Sequence, residues 1–136
     1  RAGSIKSGVF RGGGRMFGPR PRSYSFKLNK NLKRLARKSA LSTQAKDSNI
    51  VVVEDFSFET AKTKNFAGVL KAFGVENAKS LFVLGSTDNN VYLSSRNLKK
   101  TTVITSESLC TYAVLNANKV ILSEGALEGI QSNLSK

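Results

Sequence analysis

The sequence contains no histidine, a single cysteine (Cys110) and only nine acidic residues in 136. Without histidine the usual general base and the usual zinc ligand are both missing, so we expect no catalytic residue, no metal and no cofactor. One cysteine cannot form an internal disulfide, and no basic-then-apolar leader opens the chain, which together predict a reducing, intracellular compartment. No stretch approaches the roughly 18 apolar residues of a membrane-spanning helix. We therefore expect no membrane partner.

The shortage of acidic residues is concentrated at the start of the chain. Residues 1–49 carry 13 Lys and Arg against one acidic residue, whereas the remainder carries nine against eight. A formal net charge of +13 predicts attraction to a polyanion, nucleic acid first of all, and needs no small-molecule substrate to explain it. An anionic membrane surface is the alternative, but Leu and Phe do not line one face of the basic region.

The chain divides into two parts of different composition. Gly and Pro interrupt it from Gly3 to Pro21 without apolar periodicity, so residues 1–29 are predicted to be an extended basic arm without its own core. A composition of 40% hydrophobic residues leaves room for one small core. We expect residues 30–136 to form that single globular domain, beginning with a basic helix.

Short apolar runs alternate with helical patterns in the second part. Strands are predicted at Ile50 to Val53, Leu81 to Leu84, Val103 to Ile104 and Val120 to Leu122. Helices are predicted from Thr63 to Gly74, Asn90 to Arg96, Ser106 to Leu115 and Ser123 to Leu134. Such alternation predicts an α/β fold with a small, mostly parallel sheet covered by helices in a Rossmann-like, three-layer arrangement. The runs lack polar alternation, which predicts strands buried on both faces.

The segment RGGGRMFGPRPRSY, residues 11–24, interleaves arginine with glycine and aromatic residues. Arginine can bind phosphate bidentately, aromatic rings can stack on unpaired bases, and glycine lets the backbone approach closely. The alternative is a disordered, solubilising Gly/Arg tail. The apolar Ile5 and Met16 favour an arm that is ordered by its partner. The candidate RNA-binding residues are Phe10, Arg11, Gly12, Gly13, Gly14, Arg15, Phe17, Arg20, Arg22 and Tyr24.

A second group of cations has helical spacing. These are Lys30, Lys33, Arg34, Arg37 and Lys38. They gather into one stripe of a helix predicted from about Lys30 to Ala45, with Leu32 and Leu35 on the opposite side. We expect the leucines to pack on the domain and the cations to point outward, although Leu41 falls on the wrong side. An ordinary solvated face is the alternative, but no acidic residue precedes Asp47, which favours phosphate binding.

Evidence for an enzyme is weaker. Gly3 and Gly8 have the glycine spacing of a phosphate-binding loop, but Val9 and Phe10 follow where Lys and Ser/Thr are required. Acidic and hydroxyl residues at 54–55 and 86–88 follow predicted strands, where active sites of α/β sheets gather. They keep open a nucleotide- or substrate-binding enzyme domain, although helix caps use the same residue types. Cys110 is predicted to lie buried in the middle of a helix.

Five stretches of the chain resemble one known family. They are residues 1–30 (RAGSIKSGVFRGGGRMFGPRPRSYSFKLNK), KSALS at 38–42, NIVVVEDF at 49–56, AKTK at 61–64 and SSRNL at 94–98. In this order and spacing they are similar to the universal L-four family of large-subunit ribosomal proteins. Gly8 departs from the pattern, because the family often has proline there. The chain also begins partway through the family's long loop, so we expect an N-terminally truncated member whose sheet has lost a strand.

The resemblance implies a structural constituent of the large ribosomal subunit, located in the cytoplasm. The implied partners are 23S-type ribosomal RNA, other large-subunit proteins and, in some members, the protein's own messenger RNA. It also implies a role in early assembly and a loop that runs toward the peptide exit tunnel. By matching position it adds Arg1 and Lys6 to the RNA-binding residues of the arm. Lys27 is a further candidate RNA-binding residue of the arm.

Overall fold

The computed structural model of the protein describes residues 3–135. Residues 3–29 contain no helix or strand, and the elements that follow alternate along the chain. The helices are α1 (Lys30–Lys46), α2 (Thr63–Ala72), α3 (Asn89–Ser95), α4 (Thr111–Asn116) and α5 (Glu124–Ser135). The strands are β1 (Ile50–Val53), β2 (Ser80–Leu84), β3 (Thr101–Thr105) and β4 (Lys119–Ser123). Within the described part of the chain, no helix is both long and apolar enough to cross a bilayer.

The four strands form one parallel sheet in the order β1-β4-β2-β3. Each of the first three strands is followed by a connection to the next strand that holds a helix, as parallel pairing requires. The last strand in sequence, β4, inserts between β1 and β2 and pairs with both. The predicted α/β class and parallel sheet are therefore confirmed.

The sheet separates two apolar layers because successive side chains of a strand point to opposite faces. Leu81, Val83 and Val120 pack with α1, α4 and α5 on one face. Phe82 and Ile121 pack with α2 and α3 on the other. The three-layer prediction is confirmed for the central strands β2 and β4, which are almost completely buried.

The edge strand β1 departs from the prediction of burial on both faces. Val51 and Val52 are exposed, because β1 lies at the edge of the sheet and has a neighbouring strand on one side only. Apolar composition alone therefore did not distinguish an edge strand from a central one.

The single helix predicted from Ser106 to Leu115 is wrong. A three-residue 3₁₀ helix, Ser106–Ser108, is followed by a break, and α4 begins only at Thr111. Leu109 adopts an extended backbone at the break and is buried in the core, which a continuous helix would prevent. Cys110 consequently stands at the N-cap of α4 and is exposed, not buried in the middle of a helix.

Candidate nucleic-acid interface

The beginning of the basic segment is a series of tight turns. Backbone hydrogen bonds join Ser7 N to Ser4 O (2.9 Å), Phe10 N to Ser7 O (3.1 Å) and Gly13 N to Phe10 O (3.0 Å). A longer one joins Gly14 N to Lys6 O at 2.8 Å and closes the series. Residues 4–14 are thus folded back on themselves, so the segment is not extended throughout.

Two glycines are required by this backbone. Gly12 has a φ of +80°, which favours glycine because a Cβ is strained there. At Gly13 the carbonyl oxygen of Ser7 occupies the space that a Cβ would need. The sequence predicts that these glycines let the backbone approach RNA closely. In the structure, the close backbone contacts are made within the turn itself.

Side chains of this segment make no core of their own. Ile5, Val9, Met16, Phe17 and Phe26 are all exposed, as the composition predicted. The predicted contact residues Lys6, Phe10, Arg11, Arg15, Arg20 and Lys27 are exposed as well, and Arg1 lies outside the described residues. A large apolar surface without a core is consistent with ordering by a partner.

Arg22 and Tyr24 form a pair within the arm. The Arg22 guanidinium carbon lies 4.2 Å from the centre of the Tyr24 ring, within the range of a cation–π interaction. Both side chains remain exposed. A planar guanidinium stacked on an aromatic ring can still donate to phosphate at its edge.

Helix α1 docks through a different side from the one predicted. Leu32 and Leu35 are 52% and 64% exposed, whereas Ala40, Leu41 and Gln44 pack into the core. At about 100° per residue these three fall on the same side as the cation stripe. The expectation that the leucines face the domain is therefore wrong, and Leu41 marks the true docking side.

The physical reason for this orientation is the end of α4. The buried Gln44 side chain donates to Val114 O at 2.9 Å and to Ala117 O at 3.0 Å, two carbonyls at the end of that helix. The side-chain oxygen Oε1 of Gln44 accepts a hydrogen bond from Asn49 Nδ2 at 3.1 Å. Terminal carbonyls need partners when they are buried, so the amide fixes α1 against α4. Sequence analysis missed Gln44, whose only signal was its position four residues after Ala40.

The cation stripe lies along the border of the domain. Lys30, Lys33 and Lys38 are exposed, while Arg34 and Arg37 are half-buried. Arg34 and Lys38 line a cleft with Leu134 and Ser135 at the end of α5, where a helix terminus favours positive charge. The expectation that all five cations point outward is therefore wrong for Arg34 and Arg37, which lie partly against the domain.

Neither the arm nor the stripe has compensating acidic groups. Among residues 3–135 one ion pair is formed, between Lys71 and Glu76 at 3.8 Å, and it belongs to α2 and the loop that follows. Every described cation from Lys6 to Lys46 lies outside such a pair. A surface of this kind repels itself unless anions bind to it.

The carboxyl ends of the strands carry the residues that kept the enzyme alternative open. Three of them, Asp55, Ser86 and Asp88, line a cleft of about 440 Å³. Asp88 accepts hydrogen bonds from Asn90 N (2.8 Å) and Val91 N (3.2 Å), so it caps α3. Asp55 accepts from Gly125 N at 3.2 Å in the first turn of α5. Both carboxylates thus complete helix N-termini, the structural role that the sequence left open.

Comparison with known proteins identifies the family. The family described as "Ribosomal protein L4/L1 family" matches residues 1–133. The chain is 68% identical over 136 residues to the large ribosomal subunit protein uL4 of Flavobacterium johnsoniae, covering all of this chain and 65% of that protein. It is 53% identical over 134 residues to uL4 of Bacteroides fragilis, covering 98% of this chain and 64% of that protein.

A further relative, uL4 of Cytophaga hutchinsonii, is 49% identical over 135 residues, which is 99% of this chain and 65% of that protein. The chain therefore spans slightly less than two thirds of the length of these relatives. The match extends through both the basic arm and the α/β domain. The chain belongs to the ribosomal protein L4/L1 family.

Proposed function

We propose that the chain is a structural, non-enzymatic part of the large ribosomal subunit in the cytoplasm, and that it binds 23S-type ribosomal RNA. The observation that carries the proposal is that the cations from Lys6 to Lys46, all in the described part of the chain, form no ion pair with the other described residues. Cations with no carboxylate partner on a turn-rich, coreless segment suit the phosphates of folded RNA. The family of the chain supports the same conclusion.

The two parts of the chain have different roles in RNA binding. Residues 1–29 are the RNA-binding arm, and residues 30–136 are the globular domain whose first helix continues the contact. The exposed rings of Phe10, Phe17 and Tyr24 would stack on unpaired bases, while the arginines would bind phosphates. Other large-subunit proteins are the second class of partner, and the loop would lie near the peptide exit tunnel.

Binding to the chain's own messenger RNA is an extension of this proposal. Phosphate contacts carry little sequence information, so the same cations would serve on either RNA. Such a contact would compete with ribosomal RNA for the arm, and a competition assay between the two RNAs would detect it.

Substitution of three arm cations tests the proposal. In the triple variant Arg11→Ala/Arg15→Ala/Arg20→Ala, three phosphate contacts are lost. The slope of log affinity against log salt should then fall by about 2 to 3. The measurement is a filter-binding or fluorescence titration on large-subunit rRNA fragments between about 50 and 200 mM salt.

The matched control removes the same charge from the domain. Lys62, Lys64 and Arg96 are exposed and lie outside both the arm and α1, so their triple Ala variant has the same net charge. It should retain most of the salt slope. Equal losses in both variants would show that net charge alone attracts RNA and that the arm has no particular role.

A further inference from the structure

The parallel register brings lysines together at the amino ends of three adjacent strands. Ser80 of β2 pairs with Thr101 of β3 and with Lys119 of β4. Lys79 and Lys100 directly precede the first two of these residues. Accordingly Ser80 N donates to Lys100 O at 2.9 Å, and Lys119 N donates to Lys79 O at 3.2 Å. With the adjoining Lys99, these residues are named the amino-end lysine cluster (Lys79, Lys99, Lys100 and Lys119).

Within residues 3–135, no carboxylate forms an ion pair with the cluster. Three of the ammonium groups donate to neutral oxygens: Lys79 Nζ to Asn116 Oδ1 at 2.9 Å, Lys100 Nζ to Asn77 O at 2.8 Å, and Lys119 Nζ to Ser48 O at 3.0 Å. Each ammonium has three protons, so donors remain for an anion. Glu76 lines the same end of the sheet, but it pairs with Lys71. The cluster is therefore held in place while its positive charge stays available.

An exposed aromatic ring lies beside the cluster. Tyr112, in the first turn of α4, is 76% exposed and lines a cleft of about 240 Å³ together with Lys79, Lys99 and Lys100. Base stacking on an aromatic ring flanked by cations is the usual arrangement for single-stranded nucleic acid. Burial in the protein core does not explain the ring, because most of its surface contacts solvent.

We propose that the amino-end lysine cluster and Tyr112 form a second RNA-contact surface, separate from the arm, which binds an unpaired segment. Phosphates would contact Lys79, Lys99 and Lys100, and a base would stack on Tyr112. This inference rests on the proposed function but assigns it residues after Asn49, where nine Lys and Arg stand against eight acidic residues. Lys119 donates to the carbonyl of Ser48, two residues past the end of α1, and so joins the new surface to the end of that basic helix.

A purely structural role is the competing explanation. Lys79 bonds to the last residue of α4, and cations near a helix C-terminus stabilise it by their interaction with the helix dipole. Such a role would change stability and leave RNA binding unaffected. The two explanations therefore differ in what the same variants do to binding.

The first test compares two double variants of the full chain with equal charge loss. Lys79→Gln/Lys100→Gln removes two cluster cations, and Lys62→Gln/Lys64→Gln removes two exposed lysines near the start of α2. The probes are a uridine homopolymer of about 16 nucleotides and a large-subunit rRNA fragment. The cluster variant should lower the salt slope by about 1.4 and weaken binding roughly 20-fold near 0.1 M salt, since a single-strand contact contributes about 0.7. The control variant should show less than half of this decrease in salt slope.

The second test concerns stacking. Tyr112→Ala should weaken binding to the homopolymer by about 5-fold or more, whereas Tyr112→Phe should retain it because the ring is kept. If the double variant fails to fold, the exposed Lys99 provides a substitute. Lys99→Gln should then lower the salt slope by about 0.7.

The outcomes separate this inference from the proposed function. Failure of the unaltered chain to bind either RNA would refute the proposed function itself. Normal binding that neither the cluster variant nor Tyr112→Ala weakens beyond the control would overturn the second surface alone. Selective loss in both variants, with unchanged urea midpoints, would establish it.

Discussion

The buried amide of Gln44 is expected to hold α1 on the domain, and its removal gives the sharpest test of the packing. Gln44→Ala would leave the carbonyls of Val114 and Ala117, together with Asn49 Nδ2, without their present partner. Water cannot readily replace it, because the Gln44 side chain is only 7% exposed. The variant should therefore unfold at a lower denaturant concentration.

The expected magnitude follows from three lost hydrogen bonds. A hydrogen bond contributes a net 0.5 to 1.5 kcal/mol or so, and a buried polar group left unpaired costs about 1 to 3 kcal/mol. Partial relaxation of α1 would recover some of this, so Gln44→Ala should lower the free energy of unfolding by about 2 to 4 kcal/mol. Gln44→Leu refills most of the volume but should still lower the free energy of unfolding by about 1 to 3 kcal/mol, because the carbonyls of Val114 and Ala117 stay unpaired.

Urea denaturation followed by circular dichroism measures these differences. Ser42→Ala is the control, since its exposed hydroxyl bonds only to Lys38 O within the same helix. It should change the free energy of unfolding by less than about 0.5 kcal/mol. If Gln44→Ala costs no more than Ser42→Ala, then α1 is not anchored by its amide and the docking argument fails.

Two other variants and one reagent test further details. Gly85→Ala should lower the free energy of unfolding, measured by urea denaturation, by about 1 to 3 kcal/mol, because its Cβ would lie 2.6 Å from the Gly125 carbonyl carbon. At Gly68 in α2 a Cβ would meet open space, so Gly68→Ala should be neutral or stabilising. The opposite order would contradict the packing of α5 on the sheet. Cys110 should react with a thiol reagent in the folded protein as fast as in urea; protection without denaturant would place it in the core.

Much of the domain could be predicted from the sequence, because its local and long-range signals agree. All four predicted strands lie within the observed ones, and α2 begins at Thr63 as expected. Alternation of strands and helices leaves few arrangements other than a covered parallel sheet. The strand order could not be predicted, since the insertion of β4 between β1 and β2 depends on packing between distant residues.

The errors arose where a residue's environment, not its type, decides the structure. The apolarity of Leu32 and Leu35 favours the core, but both are exposed and the polar Gln44 docks the helix instead. Leu109 breaks a helix that its neighbours would otherwise continue, because its side chain enters the core. The amino-end lysines gave no sequence pattern at all, since sheet register alone makes them neighbours.

The docking of α1 near its C-terminal end also determines how accurately the arm is positioned. Fourteen residues separate Gln44 from Lys30, which is about 21 Å along a helix that rises 1.5 Å per residue. A rotation of about 5° around the Gln44 contact would shift the start of the helix by roughly 2 Å, enough to misplace a hydrogen bond to phosphate. The orientation that the buried Gln44 amide gives to α1 thus determines where the last residue of the arm lies.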